Sequence, residues 1–200
     1  VTFRENLLLF DKDKATRSEL DRSITVIAHE LAHMWFGDLV TMKWWDGIWL
    51  NEAFASLMEV IASYNTYPEF KQWNAMNMSR TAGFSIDSLE NSRPVEFDVE
   101  TPDQAEEMFD VLTYEKGSTV LRMFQMFIGE EAFQNGVEAY LNKFKFENTN
   151  SSDLWDALSE ASNQPLNKIL PFWIREKGYP FLQVDCSNNF LTIKQKPFLL

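Results

Sequence analysis

The 200-residue sequence holds little cysteine, histidine, glycine, proline or positive charge: one Cys, two His, seven Gly, seven Pro and 18 Lys and Arg. Because Cys186 is the single cysteine, the chain can form neither an internal disulfide nor a zinc site built only from cysteines. The 30 Asp and Glu give a net charge of -12, which repels phosphate backbones and argues against a nucleic-acid partner. No apolar run approaches the roughly 18 residues that cross a bilayer, so the sequence predicts no membrane span.

The overall composition is typical of a globular protein. With 45% hydrophobic and 24% charged residues, it is large enough for one sizeable domain. Apolar periodicity and end signals predict a mainly α fold. The expected helices cover residues 18–37, 48–64, 68–83, 103–109, 113–128, 130–144, 152–162 and 165–177. We further expect a strand over 1–10, a loop over 11–14, an irregular connection over 90–102, and a hairpin with strands 181–184 and 190–193 joined by 185–189.

Both histidines lie in the string His29-Glu30-Leu31-Ala32-His33. In a helix expected to begin at an N-cap, Ser18, and to stop at Gly37, residues four apart lie one above the other, and Glu30 is offset by about 100° on the same side. The other positions are apolar over nearly the whole circumference, which predicts a helix buried on most sides. Three ionisable groups in such a helix favour a metal site over a hydrogen-bonded core histidine.

A catalytic zinc ion needs a third protein ligand and an open position for water. The chain has no third histidine, so the remaining candidates are Asp38, Asp46, Glu52, Glu59 and Cys186. Asp38 adjoins the expected helix stop and Asp46 suits an N-cap, whereas Glu52 lies in a helix that is apolar almost all round. Glu52 is therefore the leading candidate. Its companions at helical spacing, Ser56, Glu59 and Ser63, form a narrow polar stripe that also fits a solvent face.

Three motifs together resemble the gluzincin zinc aminopeptidases, the family of the alanyl (membrane and cytosolic) aminopeptidases. They are His29-Glu30-Leu31-Ala32-His33; then, after eighteen intervening residues, Glu52 within Trp49-Leu50-Asn51-Glu52-Ala53-Phe54-Ala55; and Tyr114-Glu115-Lys116-Gly117. The strings Gly37-Asp38-Leu39-Val40-Thr41, Trp44-Trp45 and Val1-Thr2-Phe3-Arg4-Glu5 also resemble that family. The resemblance implies a thermolysin-like (zincin) catalytic domain with one Zn²⁺ per chain. It implies the ligands His29, His33 and Glu52, the general base Glu30, and an oxyanion hydrogen-bond donor, Tyr114.

The resemblance also implies an activity: release of N-terminal residues from peptides with a free N-terminus. The alternatives are a relative that also hydrolyses lipid epoxides and a catalytically silent scaffold.

Ala53 stands where the family usually has Gly, a change we expect to be tolerated. The family's G-x-M-E-N loop is expected upstream of Val1, so we expect residues 1–180 to lack the N-terminal part of the catalytic domain and residues 181–200 to begin a β-sandwich. The 200 residues alone are expected to bind zinc with little or no activity. The oligomeric state stays open, and the cytoplasm is slightly favoured as the compartment.

Overall fold

The computed structural model describes residues 2–11, 13–187 and 190–200. Its helices are α1 (Glu5–Leu8), α2 (Arg17–Ala32), α3 (Trp49–Thr66), α4 (Gln72–Asp87), α5 (Pro102–Glu107), α6 (Gly117–Ile128), α7 (Glu130–Phe144), α8 (Ser151–Ser162) and α9 (Leu166–Arg175). Short 3-10 turns cover Trp45–Gly47 and Pro68–Phe70, and a π-helical turn covers Leu112–Lys116. The strands are β1 (Val40–Met42), β2 (Glu147–Thr149), β3 (Tyr179–Ser187) and β4 (Phe190–Phe198). The described residues are mainly helical, as predicted.

Helix α3 forms the centre of the core. Trp49, Phe54 and Leu57 are fully buried, and the stacked rings of Trp49 and Trp155 have centroids 5.0 Å apart. Each large side chain buried in this way stabilises the fold by about 1.5–3 kcal/mol. Helices α2 and α6 and the π-helical turn all pack against α3. Because α3 is held on several sides, it is a rigid support for any side chain that projects from its first turn.

The strands form two small sheets. Strands β1 and β2 pair in parallel, with Val40 opposite Glu147, and β3 pairs antiparallel with β4, with Tyr179 opposite Phe198. The predicted hairpin is present, but its strands are longer than expected: residues 185–187 of the predicted loop belong to β3. Asn188 and Asn189, the other two residues of that loop, lie outside the described residues. Across the described ranges, no helix is both long and apolar enough to cross a bilayer.

The expectation of a strand over residues 1–10 is wrong for its described part. Residues Glu5–Leu8 form the short helix α1, and the Ser23 hydroxyl donates a hydrogen bond to the Leu7 carbonyl. Val1 lies outside the described residues. A strand needs a neighbour to pair with. Among the described residues this segment has none, and it contacts α2 instead.

Several helix ends differ from their sequence-based positions. The N-cap of α2 is Thr16 rather than Ser18, because the Thr16 hydroxyl and the Glu19 carboxylate each accept the other residue's backbone N–H. This helix ends at Ala32, and the chain then turns before Gly37, whose φ is 135°. The segment expected as one helix from residue 68 is a 3-10 turn followed by α4. The two are separated by Lys71 in the left-handed conformation, at φ 55°.

The prediction that the first motif helix is buried on most sides is also wrong. In α2 the buried residues are Ser23 and Ala32, whereas Leu31 is 56% exposed. Trp35, just beyond the helix, is 52% exposed. Among the described residues, α3 is the main partner of α2, so one face of α2 is packed and the other is open. Apolar composition alone does not reveal how many neighbours a helix has.

Candidate metal centre

Helices α2 and α3 lie side by side and bring three polar side chains together. His29 projects from the last turn of α2 and His33 from the C-cap residue that follows it, with ring centroids 4.8 Å apart. Glu52 projects from the first turn of α3, and its Oε2 lies 3.3 Å from the Nε2 of each histidine. The three side chains are 12–19% exposed, and their ligand-type atoms all lie within 4.8 Å of one another. The sequence-predicted ligands therefore share one point in space.

The opposite edges of the two rings have partners of their own. His29 Nδ1 lies 2.8 Å from Glu59 Oε2, and His33 Nδ1 lies 2.9 Å from the Phe36 carbonyl oxygen. A carbonyl or carboxylate oxygen accepts, so each Nδ1 carries a proton and donates it. In the neutral rings both Nε2 atoms then present lone pairs toward the Glu52 carboxylate. Three lone pairs that converge in a partly buried place need a cation between them.

The donor set fits a zinc ion. Zinc binds imidazole nitrogen and carboxylate oxygen at about 2.0–2.2 Å in tetrahedral geometry, which separates neighbouring ligand atoms by roughly 3.3–3.6 Å. The two 3.3 Å distances between Glu52 Oε2 and the histidine Nε2 atoms match that separation. Two histidines and a glutamate leave the fourth position open, which is typical of catalytic rather than structural zinc sites. The Nδ1 contacts to Glu59 and Phe36 fix the ring orientations, as such outer contacts do around metal ligands.

In the metal-free protein, the pKa values of the two histidines and of Glu52 are shifted by the contacts among these groups. Burial opposes protonation of His29, but its hydrogen bonds with Glu52 and Glu59 outweigh burial and raise its pKa to about 9. The hydrogen bond with Glu52 likewise raises the pKa of His33. For Glu52, burial opposes ionisation, but hydrogen bonds from the two histidines lower its pKa to about 2. A proton thus takes the place that a metal cation fits.

The other two predicted site residues border the same cleft. The cleft is lined by His29, Glu30, His33, Met34, Gly37, Asp38, Asn51, Glu52 and Tyr114. The Tyr114 ring stacks beside the His29 ring, with centroids 6.1 Å apart and planes at 23°. Burial, followed by the negative charges of Glu52 and Glu30, raises the pKa of Tyr114 well above its usual value. Tyr114 therefore stays protonated at neutral pH and can donate a hydrogen bond into the cleft.

The alternative third ligands lie elsewhere or serve another contact. Asp46 is part of the Trp45–Gly47 turn and does not border the cleft, and Cys186 is exposed on β3. Asp38 lines the cleft outside the three-ligand group. Glu59 contacts the far side of the His29 ring.

The polar stripe on α3 is not a solvent face, because Glu59 meets His29 and Ser63 is 1% exposed. The stripe was thus a usable sequence signal for Glu59. Sequence reasoning missed the Phe36 carbonyl, since a backbone acceptor leaves no mark in the sequence. It also missed Asn51, which lines the cleft beside Glu52.

A close approach of two helices sets the separation between the Glu52 and Tyr114 segments. Gly117, the first residue of α6, packs on Ala53 of α3. A Cβ at Gly117 would lie 2.7 Å from the Ala53 Cβ. Ala53 is fully buried, so its methyl group fills the space that Gly117 leaves. Glu52 adjoins Ala53 in sequence, and Tyr114 precedes Gly117 by three residues, so the segments that carry these two side chains meet at this contact.

Comparison with known proteins shows the family of this chain. Residues 1–173 match the family model described as Peptidase family M1 domain. The chain therefore belongs to peptidase family M1, the family of gluzincin aminopeptidases that its motifs resemble.

The curated relatives carry similar names. The chain is 42% identical over 199 residues to Aminopeptidase M1-A of Oryza sativa subsp. japonica, covering 100% of this chain and 23% of that protein. It is 42% identical over 204 residues to Puromycin-sensitive aminopeptidase of Caenorhabditis elegans, covering 100% of this chain and 22% of that protein. It is 43% identical over 201 residues to Probable aminopeptidase 1 of Sulfurisphaera tokodaii, covering 100% of this chain and 25% of that protein. The chain thus spans about a quarter of the length of these relatives.

Proposed function

We propose that this chain carries the catalytic centre of a zinc-dependent aminopeptidase with a thermolysin-like catalytic domain. The substrates are peptides with a free N-terminus, and one residue is released per cleavage. The observation that carries the proposal is the convergence of the two histidine Nε2 atoms on Glu52 Oε2, at 3.3 Å each. The aminopeptidase names of the relatives support the substrate class.

His29, His33 and Glu52 would hold the ion, with Glu59 and the Phe36 carbonyl orienting the rings from behind. When bound, zinc supplies a Lewis acid that polarises the scissile carbonyl and lowers the pKa of a water molecule toward about 7. Glu30 and Tyr114 line the same cleft as these three residues.

Glu30 is the general base in this proposal. It lies one residue from His29 on α2, and its side chain borders the cleft. Its carboxylate takes the proton of the attacking water and passes it to the amine that leaves, which conserves the proton through the reaction. Such transfer by a positioned side chain typically contributes about 100- to 10,000-fold to the rate.

Tyr114 is the hydrogen-bond donor to the carbonyl oxygen as that oxygen gains negative charge. A phenol is protonated at neutral pH, and burial raises the pKa of Tyr114 further, so the donor is available throughout the neutral range and above it. A donor of this kind is worth about 100- to 1,000-fold in turnover.

The proposal is tested on the protein at its full natural length with a chromogenic aminoacyl anilide and its N-acetylated form. We expect the protein to cleave the anilide that has a free amino group and to leave the N-acetylated form intact. Chelation of the metal should abolish this cleavage, and added zinc should restore it. Glu30→Gln should keep one zinc per chain but lose at least about 100-fold in kcat. Tyr114→Phe should lose about 100-fold or more. Glu160→Gln, at an exposed position on α8, is the matched control and should behave as wild type. Near-normal turnover by Glu30→Gln, or by protein freed of metal, would contradict the proposal.

A further inference from the structure

Lys116 is a buried cation for which the proposed reaction has no use. It is 8% exposed, and its Nζ lies 2.9 and 3.1 Å from the two carboxylate oxygens of Asp87, itself 1% exposed. Its Nζ also donates to the backbone carbonyls of Glu176 and Gly178, at 3.1 Å each. An ammonium group so far from water needs its donors satisfied, and this one is surrounded by acceptors. The group is therefore fixed firmly in place.

The Lys116–Asp87 pair joins three separate parts of the chain. Asp87 is the last residue of α4, Lys116 is the last residue of the π-helical turn, and residues 176–178 connect α9 to β3. The Gly178 N–H donates to Asp87 Oδ1 at 2.8 Å, which closes the connection from the other side. Gly178 has a φ of 76°, and a Cβ there would lie 3.0 Å from the Phe198 carbonyl oxygen. The start of the C-terminal strand pair is thus tied directly to the π-helical turn.

The other end of the π-helical turn is anchored by a second ion pair. Arg93 binds the Asp110 carboxylate and donates to the Thr113 hydroxyl at 3.0 Å. Asp110 Oδ1 in turn accepts the backbone N–H of Leu112 at 2.9 Å. Turns of the π type are rare and are frequently found at functional sites. Tyr114 occupies the middle of a turn whose two ends are each fixed by a cation.

We propose that the Lys116–Asp87 ion pair is a positioning device: it holds the π-helical turn so that the Tyr114 hydroxyl faces the His29, His33 and Glu52 cluster. The inference rests on the proposed function, because it assigns Tyr114 a role in turnover. The contacts of residues 176–178 with Lys116 and Asp87, just before the C-terminal strand pair, then also help to fix the position of that hydroxyl. Lys116 and Asp87 touch no reacting atom and act only through Tyr114.

A double-mutant cycle separates positioning from general support of the fold. Lys116→Met should lower kcat by about 10- to 100-fold, because a displacement near 1 Å costs about that much, while KM changes little. In a Tyr114→Phe background the same change should cost less than about threefold, because the hydroxyl that it displaces is already gone. Lys143→Met removes an exposed lysine of α7, outside the three segments that the ion pair joins, and should leave kcat unchanged in both backgrounds. Equal losses in the two backgrounds would overturn the proposal.

A second measurement does not depend on activity or metal. A fluorinated tyrosine incorporated at position 114 reports the surroundings of its ring by ¹⁹F NMR in the metal-free protein. We expect Lys116→Met and the milder Asp87→Asn to move or broaden that resonance, and Lys143→Met to leave it in place. Asp87→Asn keeps an acceptor for the Gly178 N–H and so serves if Lys116→Met does not fold. An unmoved resonance in Asp87→Asn would overturn the proposal. If the wild-type protein cleaves no peptide, the proposed function fails, while the resonance still decides whether the pair positions Tyr114.

Discussion

The contact between Gly117 and Ala53 gives a prediction in which one substitution is harmful and a second one rescues it. The methyl group of Gly117→Ala would lie 2.7 Å from the Ala53 Cβ, whereas carbon atoms in contact prefer about 3.5–4.0 Å. Overpacking of this kind costs about 1–3 kcal/mol, and the better helix propensity of Ala returns about 1 kcal/mol. Gly117→Ala alone should therefore lower the free energy of unfolding by about 1 kcal/mol.

Ala53→Gly alone removes a buried methyl group and weakens α3. We expect a loss of about 2 kcal/mol, from about 0.8 kcal/mol of burial and about 1 kcal/mol of helix propensity. In the double variant the methyl group simply moves from one helix to the other, so the protein should be close to wild type in stability. The two single changes sum to about 3 kcal/mol and the double change to about zero, which is a coupling near 3 kcal/mol.

The assay is urea unfolding followed by circular dichroism for the four members of the cycle. Turnover should follow stability: the displaced Tyr114 segment lowers kcat about tenfold or more in Gly117→Ala, and Ala53→Gly restores it. Gly136→Ala is the control, because its Cβ would lie 2.9 Å from Leu158 Cδ2 in the α7–α8 contact. Its destabilisation should be unaffected by Ala53→Gly. Strict additivity of the Gly117 and Ala53 changes would refute the reasoning.

Three further predictions concern the site and the helix that supports it. Glu59→Gln removes the charge behind His29 and should weaken zinc binding by about tenfold, whereas the exposed Glu69→Gln should not; equal affinities in a zinc titration would contradict this. Zinc affinity should rise as the pH rises from about 6.5 toward 9. The pKa of His29 is raised from 6.5 to about 9, and the ring must lose a proton before it can bind zinc. An affinity that does not change with pH at constant ionic strength would contradict this prediction. Ser63→Ala should raise the free energy of unfolding by about 1 kcal/mol in urea titrations, because the Ser63 hydroxyl is buried without a partner among the described residues; a clear loss of stability would show that the hydroxyl is satisfied.

The sequence was most informative where a local period carries the chemistry. The four-residue spacing of His29 and His33 fixes their shared face once a helix forms, whatever surrounds it. Glu52 was identifiable because a charged residue inside an apolar helix needs a partner, and the partner proved to be that histidine pair. The mainly helical fold and the C-terminal strand pair follow from the same periodic patterns.

The features that the sequence did not reveal depend on contacts between distant segments or on the backbone. Strands β1 and β2 have three residues each and pair across about a hundred residues, so neither has a pattern of its own. The Phe36 carbonyl that holds His33 is a backbone atom. The π-helical turn around Tyr114 depends on Arg93 and Lys116, whose partners come from distant segments. Long-range pairing of this kind is visible only when the chain is folded.

The most direct test of the account is a zinc titration of the metal-free protein with its Glu52→Gln and Glu30→Gln variants. The two changes are chemically identical and lie at neighbouring positions of one cleft, but the account makes one residue a ligand and the other a base. We predict one zinc per chain for wild type, an unchanged affinity for Glu30→Gln, and a loss of more than about 100-fold for Glu52→Gln. Wild-type affinity in Glu52→Gln, or loss of zinc in Glu30→Gln, would contradict the account.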